Sequence, residues 1–216
     1  LAARRRDRLD ALAADLGDAA RAIVCDVTSE ADVAALAEAV PECEVVVANA
    51  GGALGLEPVV EFDEDQWRTM WETNVLGTAR TARAFTGKLA DSGNGRLVVI
   101  TSVAGHQTYP GGGGYTAAKH GAAAITDTLR VELLGQPIRV IEIAPGQVLT
   151  EFSKVRFDGD EERAAAVYKG VDPLTAADVA EAITWAVTRP PHMTVARMDL
   201  FPRQQGSARD YARRED

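Results

Sequence analysis

The sequence predicts an α/β fold in which helices cover both faces of a parallel sheet. Short runs of β-branched and apolar residues alternate along the chain with longer, alanine-rich stretches of helical periodicity. The runs are almost continuously apolar, as expected for strands that are covered on both faces. This alternation implies right-handed crossovers and a doubly wound sheet, and 216 residues suit a single domain spanning 1–216.

Five strands and four helices follow from these patterns. The strands are predicted over residues 22–27, 43–50, 96–101, 138–144 and, more weakly, 194–200. The helices are predicted over residues 29–40, 63–90, 115–134 and 175–188. Ser29 with Asp32, and Thr175 with Asp178, have the spacing of capping boxes at helix starts.

Composition and charge exclude several classes of protein. The net charge of −9 disfavours nucleic acid and anionic membrane surfaces as partners. Cys25 and Cys43 lack metal-ligand spacing and are expected to be reduced, buried thiols, so no metal site is predicted. No apolar run reaches membrane-spanning length, and the charged start "LAARRRDRLD" does not resemble a signal peptide, so we expect a cytoplasmic protein.

Two polar segments have open interpretations. Residues 151–172 are long and glycine-containing, which suits either a substrate lid or a surface excursion. Residues 203–216 form a polar tail that is either loose or packed against a neighbouring subunit.

The stretch "ITSVAGHQTYPGGGGYTAAKHG" (100–121) has the residues of a proton-transfer site. Tyr115 and Lys119 are four positions apart on a predicted helix and therefore share a face. A lysine cation nearby favours the phenolate and is expected to lower the pKa of the tyrosine, which can then exchange a proton with a carbonyl or alcohol oxygen. Ser102, at a strand end, can hydrogen-bond the same oxygen. The alternatives are a surface Tyr–Lys pair and a turn-forming serine.

The glycine run 111–114 either lets this helix approach the site closely or is a flexible turn. His106, Gln107 and Gln147 lie near the site in sequence without an assigned role.

The chain resembles the short-chain dehydrogenase/reductase family up to about Pro202. The matching motifs follow predicted strands or lie in the long helices: "CDVT", "ANAG", "TNVLG", "TSVAG…YTAAK" and "APGQVLT". The resemblance implies a Rossmann-like sheet that binds a dinucleotide at its carboxyl edge. The stretches "TEFSKVRFDGD" and "DPLTAADVAEAITWAVTRPPH" are similar to the NADP-dependent 3-hydroxy acid (serine, allo-threonine, malonic semialdehyde) dehydrogenase branch.

One departure from the family is large. The family's first strand and its G-x-x-x-G-x-G turn are absent from this sequence, which starts at the apparent end of a second strand. Because that first strand is central in the family's sheet, its absence should leave unpaired backbone on its neighbours. We therefore expect the functional polypeptide to be longer.

The resemblance also assigns roles to individual residues. It makes Asn74, Ser102, Tyr115 and Lys119 the catalytic residues, with Asn74 holding a water that relays protons from Lys119. It places the dinucleotide contacts on Asp26, Val27, Asn49, Ala50, Gly51, Tyr115, Lys119, Pro145, Gly146, Val148 and Thr150. Asp26 would accept from the adenine amino group, or would simply cap a helix. The turns after the strands are otherwise ordinary loop formers.

The resemblance places the choice between NADP and NAD near the start of the chain. The family's acidic residue that binds the ribose of NAD is replaced here by Ala3, which precedes a run of arginines. A guanidinium fork suits a 2′-phosphate, so NADP is expected, with Arg4 first and Arg5 second as its ligands. The alternative is a solvated basic helix start.

The expected activity is hydride transfer between NADP(H) and a small-molecule secondary alcohol or carbonyl, which a small 3-hydroxy acid or its semialdehyde would satisfy. Ser102, Tyr115 and Arg156 are the expected substrate contacts, with Arg156 binding a carboxylate. The alternatives are reduction of a bulkier ketone, aldehyde or 3-oxoacyl substrate, and a truncated or non-catalytic subunit. The family implies a homodimer or homotetramer, for which Trp67, Trp71 and Phe85 suit either subunit packing or the core.

Overall fold

The computed structural model describes residues 1–214 and shows parallel strands connected by helices. The strands are β1 (Ala2–Ala3), β2 (Ile23–Val24), β3 (Val45–Ala48), β4 (Gly95–Ile100), β5 (Ile138–Pro145) and β6 (Arg197–Leu200). All neighbouring strands run parallel. The predicted parallel α/β architecture is therefore confirmed, and the chain starts in a short strand, β1, at the position where the sequence indicates the end of a strand.

The strands form two groups rather than one continuous sheet. Strands β1 and β2 pair with each other, and the remaining four pair in the order β3-β4-β5-β6. No ladder joins β1 to β3 within the described residues. Val46 and Ala48 of β3 are buried, whereas Val45 and Val47 are 36% and 42% exposed. One face of β3 is thus open to solvent, which differs from the expectation that every strand is covered on both faces.

The helices close to the predicted ones are α2 (Glu30–Ala39), α3 (Glu64–Trp71), α4 (Gly77–Asp91), α5 (Gly113–Glu132) and α8 (Ala176–Val187). Three further helices are α1 (Arg6–Leu16), α6 (Phe152–Arg156) and α7 (Glu161–Ala166). The predicted helix 63–90 is interrupted by a π-helical turn, Glu72–Leu76, which separates α3 from α4.

One predicted capping box forms and the other does not. Thr175 and Asp178 make both reciprocal bonds at the start of α8. Ser29 caps α2 by accepting the backbone N–H of Asp32. The Asp32 carboxylate does not complete the box, because it accepts the backbone N–H of Asp26 and the Ser29 hydroxyl instead.

The core holds β4 and β5 firmly on both faces. Leu97 and Val99 of β4 pack with Phe85 and Leu89 of α4. On the opposite face, Val98 packs with a cluster that includes Ile141 and Ile143 of β5 and Ala186 of α8. Fully burying a side chain of this size stabilises the fold by about 1.5–3 kcal/mol. The loops that leave the carboxyl ends of β4 and β5 therefore start from a rigid base.

The polar tail packs against its own chain. The backbone N–H of Arg214 donates to Gly170 O, and the backbone N–H of Ala208 donates to Gln107 Oε1. Gln205 Oε1 accepts the backbone N–H of Gln147 at 2.8 Å. Residues 203–214 thus lie beside the loop after β5 and beside the segment 151–172; residues 215 and 216 are outside the described part.

Candidate active site

The first two turns of α5 carry Tyr115 and Lys119. Tyr115 is 8% and Lys119 5% exposed, so they are not a surface pair. The glycine run brings this end of α5 close to α3, since a Cβ on Gly114 would lie 2.5 Å from Met70 Cε and 2.6 Å from Trp67. Glycine is therefore required at this position for close approach, and Gly111, with φ +73°, supplies the turn before the helix.

Ser102 reaches the same place from β4. It caps a short 3₁₀ turn, Val103–Gly105, and its Oγ accepts the backbone N–H of Ala104 at 3.1 Å. The same hydroxyl lies 3.3 Å from Pro145 O, at the end of β5. It also hydrogen-bonds the Tyr115 phenol, an interaction that lowers the pKa of Tyr115. The serine and tyrosine side chains therefore lie close together.

Asn74 connects the π-helical turn to the loop after β3. Its amide donates to Met70 O at 2.7 Å and to Gly52 O at 3.0 Å, and its Oδ1 accepts the backbone N–H of Gly52 at 3.2 Å. A Cβ on Gly51 would lie 2.5 Å from Asn74 Oδ1 and 3.2 Å from Lys119 Nζ. Asn74 and Lys119 thus both lie against the same glycine backbone.

Burial governs the protonation of the Tyr115–Lys119 pair. It raises the pKa of Tyr115 to about 12, although the hydrogen bond from Ser102 and the charge of Arg156 both act to lower it. Burial also lowers the pKa of Lys119 to about 8. The expectation that Lys119 lowers the pKa of Tyr115 is wrong, because burial dominates and Lys119 is not among the groups that shift this pKa. Lys119 Nζ donates to Ile100 O at 3.0 Å and lies 5.9 Å from the Tyr115 ring centroid.

The cation that does act on Tyr115 is Arg156. Its guanidinium carbon lies 5.7 Å from the Tyr115 ring centroid. Arg156 Nε donates to Gly55 O at 2.8 Å, and Nη1 donates to the Tyr109 hydroxyl at 3.1 Å. The helix α6 that carries it also places Phe152 edge-on to Tyr115, with ring centroids 5.5 Å apart. The segment 151–172 therefore begins directly above the phenol.

Tyr109 and Arg209 are site residues that the sequence analysis missed. The Arg209 guanidinium lies 4.6 Å from the Tyr109 ring centroid, and that of Arg156 lies 5.8 Å from it. Tyr109 thus lies between Arg156 of the segment 151–172 and Arg209 of the tail, and contacts both. Its signal in the sequence was its position between Ser102 and Tyr115; Arg209 has no local signal.

Apart from Tyr115 and Lys119, which lie on α5, the predicted dinucleotide contacts lie at or after the carboxyl ends of strands. Asp26 and Val27 follow β2, and Asp26 Oδ1 accepts the backbone N–H of Thr28 at 2.9 Å and its hydroxyl at 2.8 Å. Asp26 therefore makes a local turn before α2, and Ser29 is the helix cap. Asn49 and Ala50, which follow β3, are exposed.

The turn after β5 is attached to the sheet and to the neighbouring loop by backbone hydrogen bonds. Pro145 ends β5, Gly146 donates its N–H to Leu200 O at 2.7 Å, and Val148 bridges to Leu174. Thr150 Oγ1 accepts the backbone N–H of Phe152 and so begins α6. The turn is thus fixed on the sheet while its outer side faces the same edge as Asn49 and Ala50.

The arginines after β1 are not equivalent. Arg5 Nη1 lies 3.3 Å and Arg8 Nη1 2.5 Å from Glu151 Oε2, so both pair with the residue that precedes α6. Arg6 pairs with Asp10. Arg4 is exposed and has no ion-pair partner within residues 1–214.

The residues present fit a dinucleotide along this edge. Donors for sugar and phosphate groups come from the exposed backbone after β3 and from the unpaired guanidinium of Arg4 after β1. Gly51, which lies against Lys119, leaves room for close approach. The buried Gln147 Oε1, beside Gly146, lacks a hydrogen-bond partner in the described chain. An amide or hydroxyl donor would satisfy it.

The described residues, 1–214, also bear on metal ions, thiols and membranes. No group of three or more His, Cys, Asp or Glu side chains there is arranged to hold a metal ion. Cys25 is buried and Cys43 half-buried, and both are free thiols. No helix among residues 1–214 is long and apolar enough to span a bilayer.

Comparisons with known proteins identify the family. The family model described as short chain dehydrogenase matches residues 1–161. An uncharacterized oxidoreductase of Mycobacterium tuberculosis is 56% identical over 206 residues, covering 95% of this chain and 81% of the relative. The NADP-dependent 3-hydroxy acid dehydrogenase of Schizosaccharomyces pombe is 36% identical, covering 100% of this chain and 86% of the relative.

The fold agrees with the sequence match. The solved closed form of serine dehydrogenase complexed with NADP+ superposes with a TM-score of 0.93 at 34% identity, covering 99% of this chain and 88% of that one. The resemblance found from the sequence motifs is confirmed: the chain is an oxidoreductase that belongs to the short chain dehydrogenase family.

Proposed function

We propose that this protein transfers a hydride between NADP(H) and a small alcohol or carbonyl compound, with a 3-hydroxy acid or its semialdehyde as substrate. The observation that carries the proposal is the convergence of Ser102, Tyr115, Lys119 and Asn74 at the carboxyl edge of the strands. The relative from Schizosaccharomyces pombe and the solved serine dehydrogenase, which is complexed with NADP+, support the cofactor and the substrate class.

The residues divide the proton chemistry between them. Tyr115, with its pKa raised to about 12, keeps its proton at neutral pH and is available to donate it to a carbonyl oxygen. Ser102 donates a hydrogen bond to the same oxygen and fixes its orientation. Lys119, whose pKa of about 8 lies near neutrality, is suited to passing a proton onward, and Asn74 beside it is suited to holding the relaying water.

The dinucleotide would lie along the carboxyl edge and would supply the hydride. Arg4 and Arg5 would bind the 2′-phosphate, Asp26 and Val27 the adenine, and the backbone of Asn49, Ala50 and Gly51 the adjoining ribose. Pro145, Gly146, Val148 and Thr150 would hold the nicotinamide end beside Tyr115 and Lys119. Arg4 is the strongest single ligand because its guanidinium is unpaired.

Arg156 would bind the carboxylate of the substrate. It lies over Tyr115, and its two hydrogen bonds to Gly55 O and Tyr109 hold it there. A fixed guanidinium can bind a carboxylate through two parallel hydrogen bonds. With Phe152 also packed on the Tyr115 ring, the space above the phenol favours a small acid over a bulky ketone or an acyl thioester. Residues 151–172 would act as the lid.

The assembly and location are parts of the same proposal. A homodimer or homotetramer is supported by Trp71 of α3, which is 45% exposed. Phe85 belongs to the core and is not available for such contacts. The two free thiols suit the reducing cytoplasm.

A substrate panel tests the function. NADPH oxidation is followed with malonic semialdehyde and a few neutral ketones, and NADP+ reduction with serine and 3-hydroxypropionate; NADH and NAD+ serve as matched cofactors. The proposal expects turnover with NADPH or NADP+, with acids preferred over neutral compounds. Absence of turnover by protein that binds NADPH would contradict it and would support a non-catalytic, cofactor-binding role.

A further inference from the structure

A buried carboxylate, Glu142 of β5, takes no part in the proton chemistry described so far. Its side chain is 1% exposed, yet the residue lies beside the site. Burying a charge without partners is costly, so the bonds made by this side chain should be informative. Glu142 Oε1 accepts the Thr101 hydroxyl at 2.5 Å and is bonded to His106 Nε2 at 2.7 Å.

These two partners flank the turn that carries Ser102. Thr101 immediately precedes the serine, and His106 ends the 3₁₀ turn that Ser102 caps. One carboxylate oxygen therefore ties both ends of the six-residue segment 101–106 to β5. The turn is also pressed against the catalytic helix, because a Cβ on Gly105 would lie 2.9 Å from Lys119 O. The direction of the Ser102 hydroxyl is thus fixed from two sides.

The outer partner of His106 determines which ring nitrogen carries the proton. Arg197 Nη1, from β6, lies 3.1 Å from His106 Nδ1. A guanidinium is only a donor, so Nδ1 must accept, and a neutral imidazole then carries its proton on Nε2. That proton is directed at Glu142 Oε1. The donors and acceptors match along the whole chain from Arg197 through His106 to Glu142 and Thr101.

We infer that His106 and Glu142 are positioning residues, which act through Ser102 by fixing its hydroxyl toward Tyr115 and the substrate oxygen. The inference rests on the proposed function. It predicts that loss of His106 loosens Ser102 while the dinucleotide contacts after β2 and β3 are unchanged. The loss should therefore appear in kcat rather than in the KM for NADPH.

A double-mutant cycle tests the inference. His106→Ala should lower kcat about tenfold when Ser102 is present, but less than about twofold in a Ser102→Ala background, because the hydroxyl to be positioned is gone. His192→Asn, which alters an exposed histidine, is the matched control and should leave kcat unchanged. An equal loss in both backgrounds would show a general structural role and overturn the inference. No turnover by the unmodified protein would instead count against the proposed function.

Histidine ¹⁵N spectra provide a readout that does not depend on activity. The chain has three histidines, so His120→Asn and His192→Asn variants assign the His106 signals. The network predicts a proton on Nε2 of His106 and an acceptor at Nδ1, and a shift of the Nδ1 resonance in Arg197→Met. A proton on Nδ1, or no response to Arg197→Met, would contradict the network.

Discussion

The two ends of the proposed cofactor groove are built differently. At the catalytic end, Ser102, Tyr115 and Lys119 are each less than 9% exposed and are held by β4, β5 and α5. At the basic end, Arg4, Arg5 and Arg8 are exposed and follow the two-residue strand β1. Buried hydrogen bonds act in a low dielectric, whereas exposed charges are screened by water and salt. Substitutions should therefore have large, salt-independent effects at the first end and small, salt-dependent effects at the second.

The largest effect is expected for Tyr115→Phe. The change removes the proton donor and leaves the ring packing on Phe152, so kcat/KM for the carbonyl substrate should fall about 10²–10⁴-fold. NADPH affinity, measured by fluorescence titration, should be nearly unchanged. Tyr211→Phe in the tail is the control for loss of a tyrosine hydroxyl elsewhere. Retention of most of the activity in Tyr115→Phe would exclude the phenol as the donor.

Arg156→Ala should have the next largest effect, on substrate selection. Loss of the guanidinium should raise the KM for a carboxylate substrate about tenfold to a hundredfold, while the KM for a neutral ketone changes much less. Arg203→Ala, an exposed arginine of the tail, is the matched control. Equal changes for acid and ketone would mean that Arg156 only shapes the lid.

Lys119 gives the catalytic end a characteristic pH dependence of stability. Its pKa is about 8 in the folded protein against 10.5 for the free side chain. Between these values the unfolded chain binds the additional proton, so Lys119 makes the free energy of unfolding rise with pH by up to about 1.4 kcal/mol per pH unit. Below about pH 8 both states are protonated, and the burial penalty is present in full. Above pH 10 the raised pKa of Tyr115 has the opposite effect: the folded protein holds the additional proton, so the free energy of unfolding falls with pH.

Urea unfolding of the protein and of Lys119→Met at about pH 7 and about pH 9.5 isolates this contribution. The difference in free energy of unfolding between the two proteins should shift in favour of the native lysine at the higher pH. If the free energies of unfolding of the two proteins changed equally between the two pH values, burial would not have lowered the pKa of Lys119.

The smallest effect is expected at the basic end. Arg4→Ala should weaken NADPH binding about threefold to tenfold at low salt and much less at high salt, with NADH binding unaffected. Arg5→Ala should have a smaller effect than Arg4→Ala, because Arg5 already pairs with Glu151. If Arg5→Ala weakened NADPH binding more than Arg4→Ala, Arg5 would be the principal ligand, and the 2′-phosphate would displace Glu151 from it.

The sequence predicted most strands, and it placed the proposed catalytic residues near one another, because both follow from local pattern. Ser102, Tyr115 and Lys119 lie within 18 residues, and the ends of parallel strands meet at one edge. The π-helical turn at Asn74 was not predicted, since a helical period does not reveal one inserted residue.

Other features depend on residues that are far apart in the chain. The pair Arg8–Glu151 and the bond between His106 and Glu142 join positions 143 and 36 residues apart. The pKa of Tyr115 was predicted in the wrong direction because the neighbouring lysine is visible in the sequence, whereas the depth of burial is not.

The most direct test of the account is a crystal structure of the protein with NADP+ and 3-hydroxypropionate. The account predicts that the hydroxyl oxygen of this acid lies about 2.6–3.2 Å from both the Tyr115 and Ser102 hydroxyl oxygens. It also predicts that the carboxylate of the acid is bound by Arg156. A substrate hydroxyl bonded to neither side chain, in a complex that turns over in solution, would contradict it.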